Sequence, residues 1–129
     1  MSMVLIDTSV WIDYFKGLET AAPLNALIDS NQICINDLIL AELIPAINHK
    51  KEQELKDLLY SVARINIEIN WNHIIEMQTV NLKNGINRVG IADLIIAQNA
   101  LANDLEVYAL DKHFELMREL HNLRIFNRS

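Results

Sequence analysis

Short, wholly apolar runs alternate along this chain with longer stretches in which apolar residues recur every three or four positions. Residues 3–7 end on Val4-Leu5-Ile6-Asp7, and Ile33-Cys34-Ile35 likewise offers no polar side chain to water before Asn36. Such runs suit strands covered on both faces. Val107 to Leu110 has the same character. Arg64-Ile65-Asn66-Ile67-Glu68-Ile69 instead alternates with period two, which predicts a half-buried strand over 64–69. Leu123-Arg124-Ile125-Phe126 reads as a last strand.

Between these runs the period is helical. Thr8 or Ser9 can cap a helix carrying Trp11-Ile12 and Tyr14-Phe15, which Gly17 ends. Residues 21–30 place Leu24, Leu27 and Ile28 on one face. Asn36 or Asp37 starts a helix to about Lys50, and Asp37 is assigned the capping role. Pro45 lies inside it and is expected to kink it. Glu52 to Ser61 repeats Leu55, Leu58 and Leu59 at helical spacing. An amphipathic helix over 72–84 leads through a loop at Asn84–Gly90 to a strongly apolar helix from Asp93 to Asn103. A short helix over 112–121 follows. Strands alternating with helices predict an α/β fold with a mostly parallel sheet covered on both faces. The length, 129 residues with three glycines and two prolines, predicts one domain over 1–129 with short loops.

The polar residues that interrupt this pattern carry the chemistry. Asp7 closes the first apolar run, Glu42 lies within Leu40-Ala41-Glu42-Leu43-Ile44, Asp93 precedes Leu94-Ile95-Ile96 and Asp111 follows Val107-Tyr108-Ala109-Leu110. Carboxylates are rarely buried unless paired or metal-bound. Asp7 could be a turn or cap, but Thr8 and Ser9 can supply the cap. Asp93 and Asp111 could equally be a helix-start acid and a turn residue. Glu42 has no Lys or Arg within a turn, which leaves a pocket or the solvent side of its helix; the pocket is preferred. In a parallel sheet, ligands sit beyond the carboxyl ends of the strands, and right-handed crossovers can bring these four acids to that edge.

Other signals narrow the classes. The four histidines lack HxxxH or HxH spacing, which speaks against zinc; His113, close to Asp111, could touch a pocket, but a surface or packing role is preferred. Cys34 excludes an internal disulfide and reads as a buried structural thiol. There is no Gly-rich phosphate loop, GxSxG or CxxC. No apolar run reaches the roughly 18 residues of a membrane span, and no signal peptide is visible, so a soluble cytoplasmic protein is expected. The net charge of −6 argues against a nucleic-acid binder unless the negative charge is concentrated in a pocket and offset by a cation. Four apposed carboxylates repel one another. A hard divalent cation suits oxygen ligands and bridges them to phosphates, and phosphodiester hydrolysis is the chemistry such an arrangement serves.

Four segments occur in order: Val4-Leu5-Ile6-Asp7-Thr8-Ser9-Val10-Trp11-Ile12, Leu40-Ala41-Glu42-Leu43, Gly90-Ile91-Ala92-Asp93-Leu94-Ile95-Ile96-Ala97 and Leu110-Asp111-Lys112-His113-Phe114. Together they resemble the motifs of PIN-domain ribonucleases, particularly the toxins of VapBC toxin–antitoxin pairs, over essentially the whole chain. The resemblance implies a three-layer α/β/α sandwich that cuts RNA with Mg²⁺ or Mn²⁺. It implies an acidic site of Asp7, Glu42, Asp93 and Asp111, with Asp7 and Asp93 as direct metal ligands and Ser9 in support. The family often has an aspartate before the phenylalanine of the fourth segment; here His113 stands there. The resemblance also implies a homodimer and a small antitoxin whose tail crosses the first helices and blocks the acids with a basic side chain. Lys16, Arg88 and Lys112 stand near Asp7, Asp93 and Asp111 in sequence and are candidates to hold RNA. Some of Trp11, Tyr14, Phe15, Leu58, Leu59 and Tyr60 exceed what a small core needs and suggest an interaction surface, the alternative being that they fill the core. Competing readings are an RNA-processing or DNA-directed nuclease on the same fold, and a phosphoacceptor module, for which Lys112 stands in the wrong residue order.

Overall fold

The computed structural model describes residues 3–126. Five short strands form one sheet: β1 (Val4–Ile6), β2 (Ile33–Ile35), β3 (Ala63–Arg64), β4 (Glu106–Tyr108) and β5 (Arg124–Ile125). Their spatial order is β3-β2-β1-β4-β5, and all four pairings are parallel. Leu5 stands between Cys34 and Val107 in register, and β1 and β2 are buried along their whole length. Strands without a polar residue thus occupy the middle of the sheet, as their composition requires.

The chain moves outward from β1 through β2 to β3, then crosses back to β4 on the other side of β1. Right-handed crossovers in opposite directions put helices on opposite faces. Accordingly α1 (Thr8–Phe15), α3 (Asp37–Lys50) and α4 (Gln53–Ser61) pack in succession, with α2 (Pro23–Asp29) beside a 3-10 turn at Glu19–Ala21 that rests on α1. On the other side α5 (Trp71–Lys83), α6 (Ile91–Ala102) and α7 (Lys112–His121) pack on one another. The result is the three-layer α/β/α sandwich. Gly17, at φ +70, closes the turn after α1.

The expected strand over 64–69 is much shorter, and the reason is a set of buried amides on α6. The ladder ends where Ile65 N donates to Ile35 O at 2.8 Å. Beyond it, Asn99 Nδ2 donates to Asn66 O at 2.9 Å. Gln98 brackets Asn70, accepting from its N–H at 3.1 Å and donating to its carbonyl at 3.0 Å. Side chains of a helix that reads as apolar therefore satisfy backbone groups that a neighbouring strand would otherwise take. The alternation of 64–69 still half-buries Ile65 and Ile67.

One further expectation is corrected. Asn36, not Asp37, caps α3: its Oδ1 accepts from Ile39 N at 2.9 Å while its Nδ2 donates to Asn99 Oδ1 at 3.0 Å. An amide offers both an acceptor and a donor in a fully buried position, which a carboxylate does not. Asp37 is the first helical residue, exposed, and paired with Arg64 at 3.3 Å. α3 runs through Pro45 to Lys50, the end expected for it. Ala41 and Pro45 face solvent, where water can take the carbonyl that Pro45 leaves without a donor.

Asn99→Ala leaves the Asn36 amide without its partner in the interior, and returns the Asn66 carbonyl, on an exposed residue, to water. The buried orphan costs about 1–3 kcal/mol, so urea unfolding is expected to lose about 1–3 kcal/mol, against under about 1 kcal/mol for Asp37→Ala. Equal losses in the two variants would contradict this account of the 65–70 segment.

Candidate active site

The sheet order reverses between β1 and β4, and in open parallel sheets such a switch point opens a crevice at the carboxyl edge. Asp7 directly follows β1 and Asp111 follows β4 by three residues. Asp7 N donates to Tyr108 O at 2.9 Å, so the two strand ends are joined there. Asp7 is buried at 6% exposure. Its Oδ2 accepts from Ser9 N at 3.2 Å and from the Ser9 hydroxyl at 2.7 Å. The same Ser9 oxygen accepts from Leu110 N at 3.0 Å. One hydroxyl therefore ties the Asp7 carboxylate to the turn that carries Asp111.

This geometry corrects the capping assignment at α1. Asp7 itself is the N-cap. Thr8 lies within the helix and spends its hydroxyl on Glu42 Oε1 at 2.7 Å, and Ser9 spends its own on Asp7. The cap does not withdraw Asp7 from chemistry, since a carboxylate retains acceptor capacity beyond the Ser9 bonds.

Glu42 sits on the solvent side of α3, although Leu40, Leu43 and Ile44 around it are buried. The helix turns its apolar neighbours inward and Glu42 toward Thr8 at the site's rim. Asp93 occupies the first turn of α6, whose cap residue Gly90 has no side chain to satisfy the orphan N–H groups. A carboxylate there is favoured by the helix dipole. Asp111 caps α7, its Oδ1 accepting from His113 N at 2.9 Å.

His113, expected at the surface or in packing, instead joins the acids. Its Nδ1 lies 2.8 Å from Asp93 Oδ2 and 3.3 Å from Asp111 Oδ1. Ligand atoms of Asp93, Asp111 and His113 all fall within 4.8 Å of one another. Sequence spacing concealed this because the partner on α6 is 20 residues away. Thr8 was missed similarly, its partner Glu42 being 34 residues distant. The only available signal was adjacency to Asp7 and Asp111.

Burial raises the pKa of Asp7 above the usual 3.8; the Ser9 hydrogen bonds oppose this, while the charges of Asp93 and Glu42 raise it further. The charges of Glu42 and Asp93 thus both reach Asp7. Together with the Asp93–His113–Asp111 contact and the Ser9–Leu110 bond, the four carboxylates occupy one edge of the sheet. Cys34 is by contrast inert: burial raises its thiol pKa to about 12, and it contacts Val4 O at 3.5 Å.

The donor set fits a hard divalent cation. It is rich in carboxylate oxygens, and Asp7 is a buried acid whose pKa the charges of Asp93 and Glu42 raise. Of the candidate RNA contacts, Lys16, Arg88 and Lys112 are all exposed. Lys16 lines a groove with Glu42, Arg88 lies just before α6, and Lys112 directly follows Asp111.

The PIN domain family model matches residues 4–120, and the chain belongs to that family. A search of the curated proteins returned no significant match. Among solved structures, a chain of VapBC2 from Rickettsia felis, bound to a DNA fragment from its promoter, is 21% identical; the alignment covers 97% of this chain and 98% of that one, with a TM-score of 0.75. A chain of DNA-bound VapBC from Salmonella typhimurium is 16% identical over 98% of each chain, with a TM-score of 0.73. A toxin–antitoxin complex from Klebsiella pneumoniae contains a chain 25% identical, covering 84% of this chain and 87% of that one, with a TM-score of 0.62.

The raised Asp7 pKa has a signed consequence for the metal-free protein. The folded state holds the proton more tightly than the unfolded chain, so ionising Asp7 lowers stability. That loss is absent below 3.8, grows as pH rises through the interval up to the folded value, and is fully present above it. Asn keeps an acceptor for Ser9 and caps about as well. Asp7→Asn is therefore expected to melt at or above the wild-type temperature in EDTA at pH 7, with the advantage vanishing toward pH 3. A marked loss of stability in this variant at pH 7 would show that the ionised carboxylate holds the fold together.

Proposed function

We propose that this chain is a metal-dependent endoribonuclease that hydrolyses phosphodiester bonds in RNA with Mg²⁺ or Mn²⁺, and that it is the toxin of a type II toxin–antitoxin pair. The observation that carries the reading is Asp7 at the β1/β4 switch point of a PIN-domain sheet, where the charges of Asp93 and Glu42 bear on it, with Asp93 and Asp111 drawn together on His113. A bound cation there would lower the pKa of water and stabilise charge on the phosphoryl oxygens. Asp7 and Asp93 would hold it, with Glu42 and Asp111 beside them. Ser9 fixes the Asp7 carboxylate, and Thr8 holds Glu42 at the rim.

The toxin assignment draws on the VapBC complexes among the structural neighbours and on a groove. Ile12, Phe15 and Lys16 of α1 face Leu43, Ala46 and Ile47 of α3 across a cavity of about 200 Å³ with Glu42 in its wall. Its apolar floor suits a partner's amphipathic segment. A basic side chain on that segment would meet Glu42 and the acids behind it. Of the residues expected to divide between core and surface, Trp11 and Leu59 are fully buried, whereas Tyr60 is exposed. Trp71, Ile75 and Leu82 on one face of α5 are exposed as well and support a homodimer. No described helix is long and apolar enough to cross a membrane.

RNA should be degraded with Mg²⁺ or Mn²⁺ and spared in EDTA. Asp7→Asn and Asp93→Asn are expected to fall below about 1% of wild-type activity, beyond the roughly 10- to 100-fold loss typical of groups that only orient a ligand. Asp37→Asn should remain near wild type. An active Asp7 variant would refute the site. Co-expression with the adjacent small open reading frame should relieve a growth defect and co-purify both chains. If it does neither while RNA is still cut, the protein is a nuclease of RNA processing or DNA without a toxin role.

Lys16→Ala and Arg88→Ala should each weaken RNA binding and flatten its salt dependence by roughly 0.7 of a log–log slope unit, the value for one phosphate contact on a single strand. Unchanged slopes in filter binding would remove these residues from the RNA surface.

A further inference from the structure

Carboxylate oxygens dominate the site, but His113 brings a nitrogen into it. We infer that His113 Nδ1 is a direct ligand of the catalytic cation, making this a mixed nitrogen–oxygen site that favours Mn²⁺ over Mg²⁺. The inference rests on the proposed metal-dependent activity and adds a residue and a selectivity to it.

Donor spacing is the first argument. Adjacent ligands of an octahedral ion with bonds of about 2.1 Å lie about 3.0 Å apart, the bond length times the square root of two. His113 Nδ1 stands 2.8 Å from Asp93 Oδ2 and 3.3 Å from Asp111 Oδ1, on either side of that value. Without a cation, the two carboxylates can share only the single hydrogen of Nδ1. A cation could replace that hydrogen at the point where the three donors converge, with Nε2 carrying the ring hydrogen.

Anchoring is the second. His113 is the second residue of α7, and its backbone N–H is bonded to Asp111. The helix start thus fixes the ring's origin beside Asp111, while the site holds Asp93 on the other side. The ring is 28% exposed, so water can reach the site from that side.

Ligand chemistry supplies the selectivity. Mn²⁺ prefers oxygen ligands and is the weakest of the first-row transition ions toward imidazole, but it accepts that nitrogen more readily than Mg²⁺, which keeps oxygen ligands and waters. Replacing His113 should therefore cost Mn²⁺ more than Mg²⁺. A ring that merely oriented the two carboxylates would, on removal, weaken both ions by a similar factor.

The test needs no turnover. Mn²⁺ and Mg²⁺ binding to the purified wild-type protein, His113→Ala and His113→Asp is measured by calorimetry, and Mn²⁺-loaded samples are examined by pulsed electron paramagnetic resonance for coupling to an imidazole ¹⁴N. Wild type should show the ¹⁴N coupling. His113→Ala should lose it and bind Mn²⁺ about tenfold more weakly, with Mg²⁺ affected by under about threefold. His113→Asp should recover Mg²⁺ binding without the coupling. Bound Mn²⁺ without ¹⁴N coupling in the wild type overturns the inference whatever the variants do, as does an equal loss for both ions, and either result leaves the nuclease reading standing. Failure of the wild type to bind either ion overturns both.

Discussion

The hydroxyl of Ser9 is the bond on which the site's geometry depends. It donates to Asp7 and accepts from Leu110 N, and so spans the reversal of strand order between β1 and β4. A parallel sheet leaves a crevice at such a reversal because neighbouring connections leave in opposite directions. The crevice is useful only if its two lips are held in register. Here Asp7 N bonded to Tyr108 O holds the strands, and Ser9 holds the acids above them. The charged groups of α3, α6 and α7 are then arrayed around a fixed centre.

That centre opposes the fold that builds it. Burial and neighbouring acids both raise the Asp7 pKa, so its ionised form destabilises the metal-free molecule at neutral pH. Compensation comes from elsewhere: an apolar central sheet and an amide chain linking Asn36, Asn99 and Asn66. The amides are neutral and hydrogen-bonded, so they specify how α3, α6 and the 65–70 segment meet without adding charge to a crowded edge.

What the sequence revealed follows from which forces are local. Met3 to Ile6 and Ile33 to Ile35 announce central strands because a fully buried strand tolerates no polar residue. Asp7, Asp93 and Asp111 stand out because each interrupts or abuts such a run. Glu42 stood out for a misleading reason: its apolar neighbours in sequence point to the core, while it points to Thr8. The elements that escaped depend on long-range side-chain bonds. Period-two alternation cannot show that Gln98 and Asn99 will take the backbone of 66–70, and the position of His113 cannot show that α6 will deliver Asp93 to its ring. Asn36 and Asp37 are both good caps by composition, and burial alone decided between them.

The hydrogen bond from Thr8 to Glu42 makes the groove and the acidic site share a wall. A chain lying between α1 and α3 ends against a carboxylate whose charge already bears on Asp7. Mutational escape from such an occupant is therefore constrained. Changes at Ile12 or Ala46 loosen the grip and leave the chemistry alone, but a change at Glu42 loosens it only by disturbing the charge balance of the site. Under selection to evade an inhibitor that uses this wall, the floor of the groove is free to drift and its end is not.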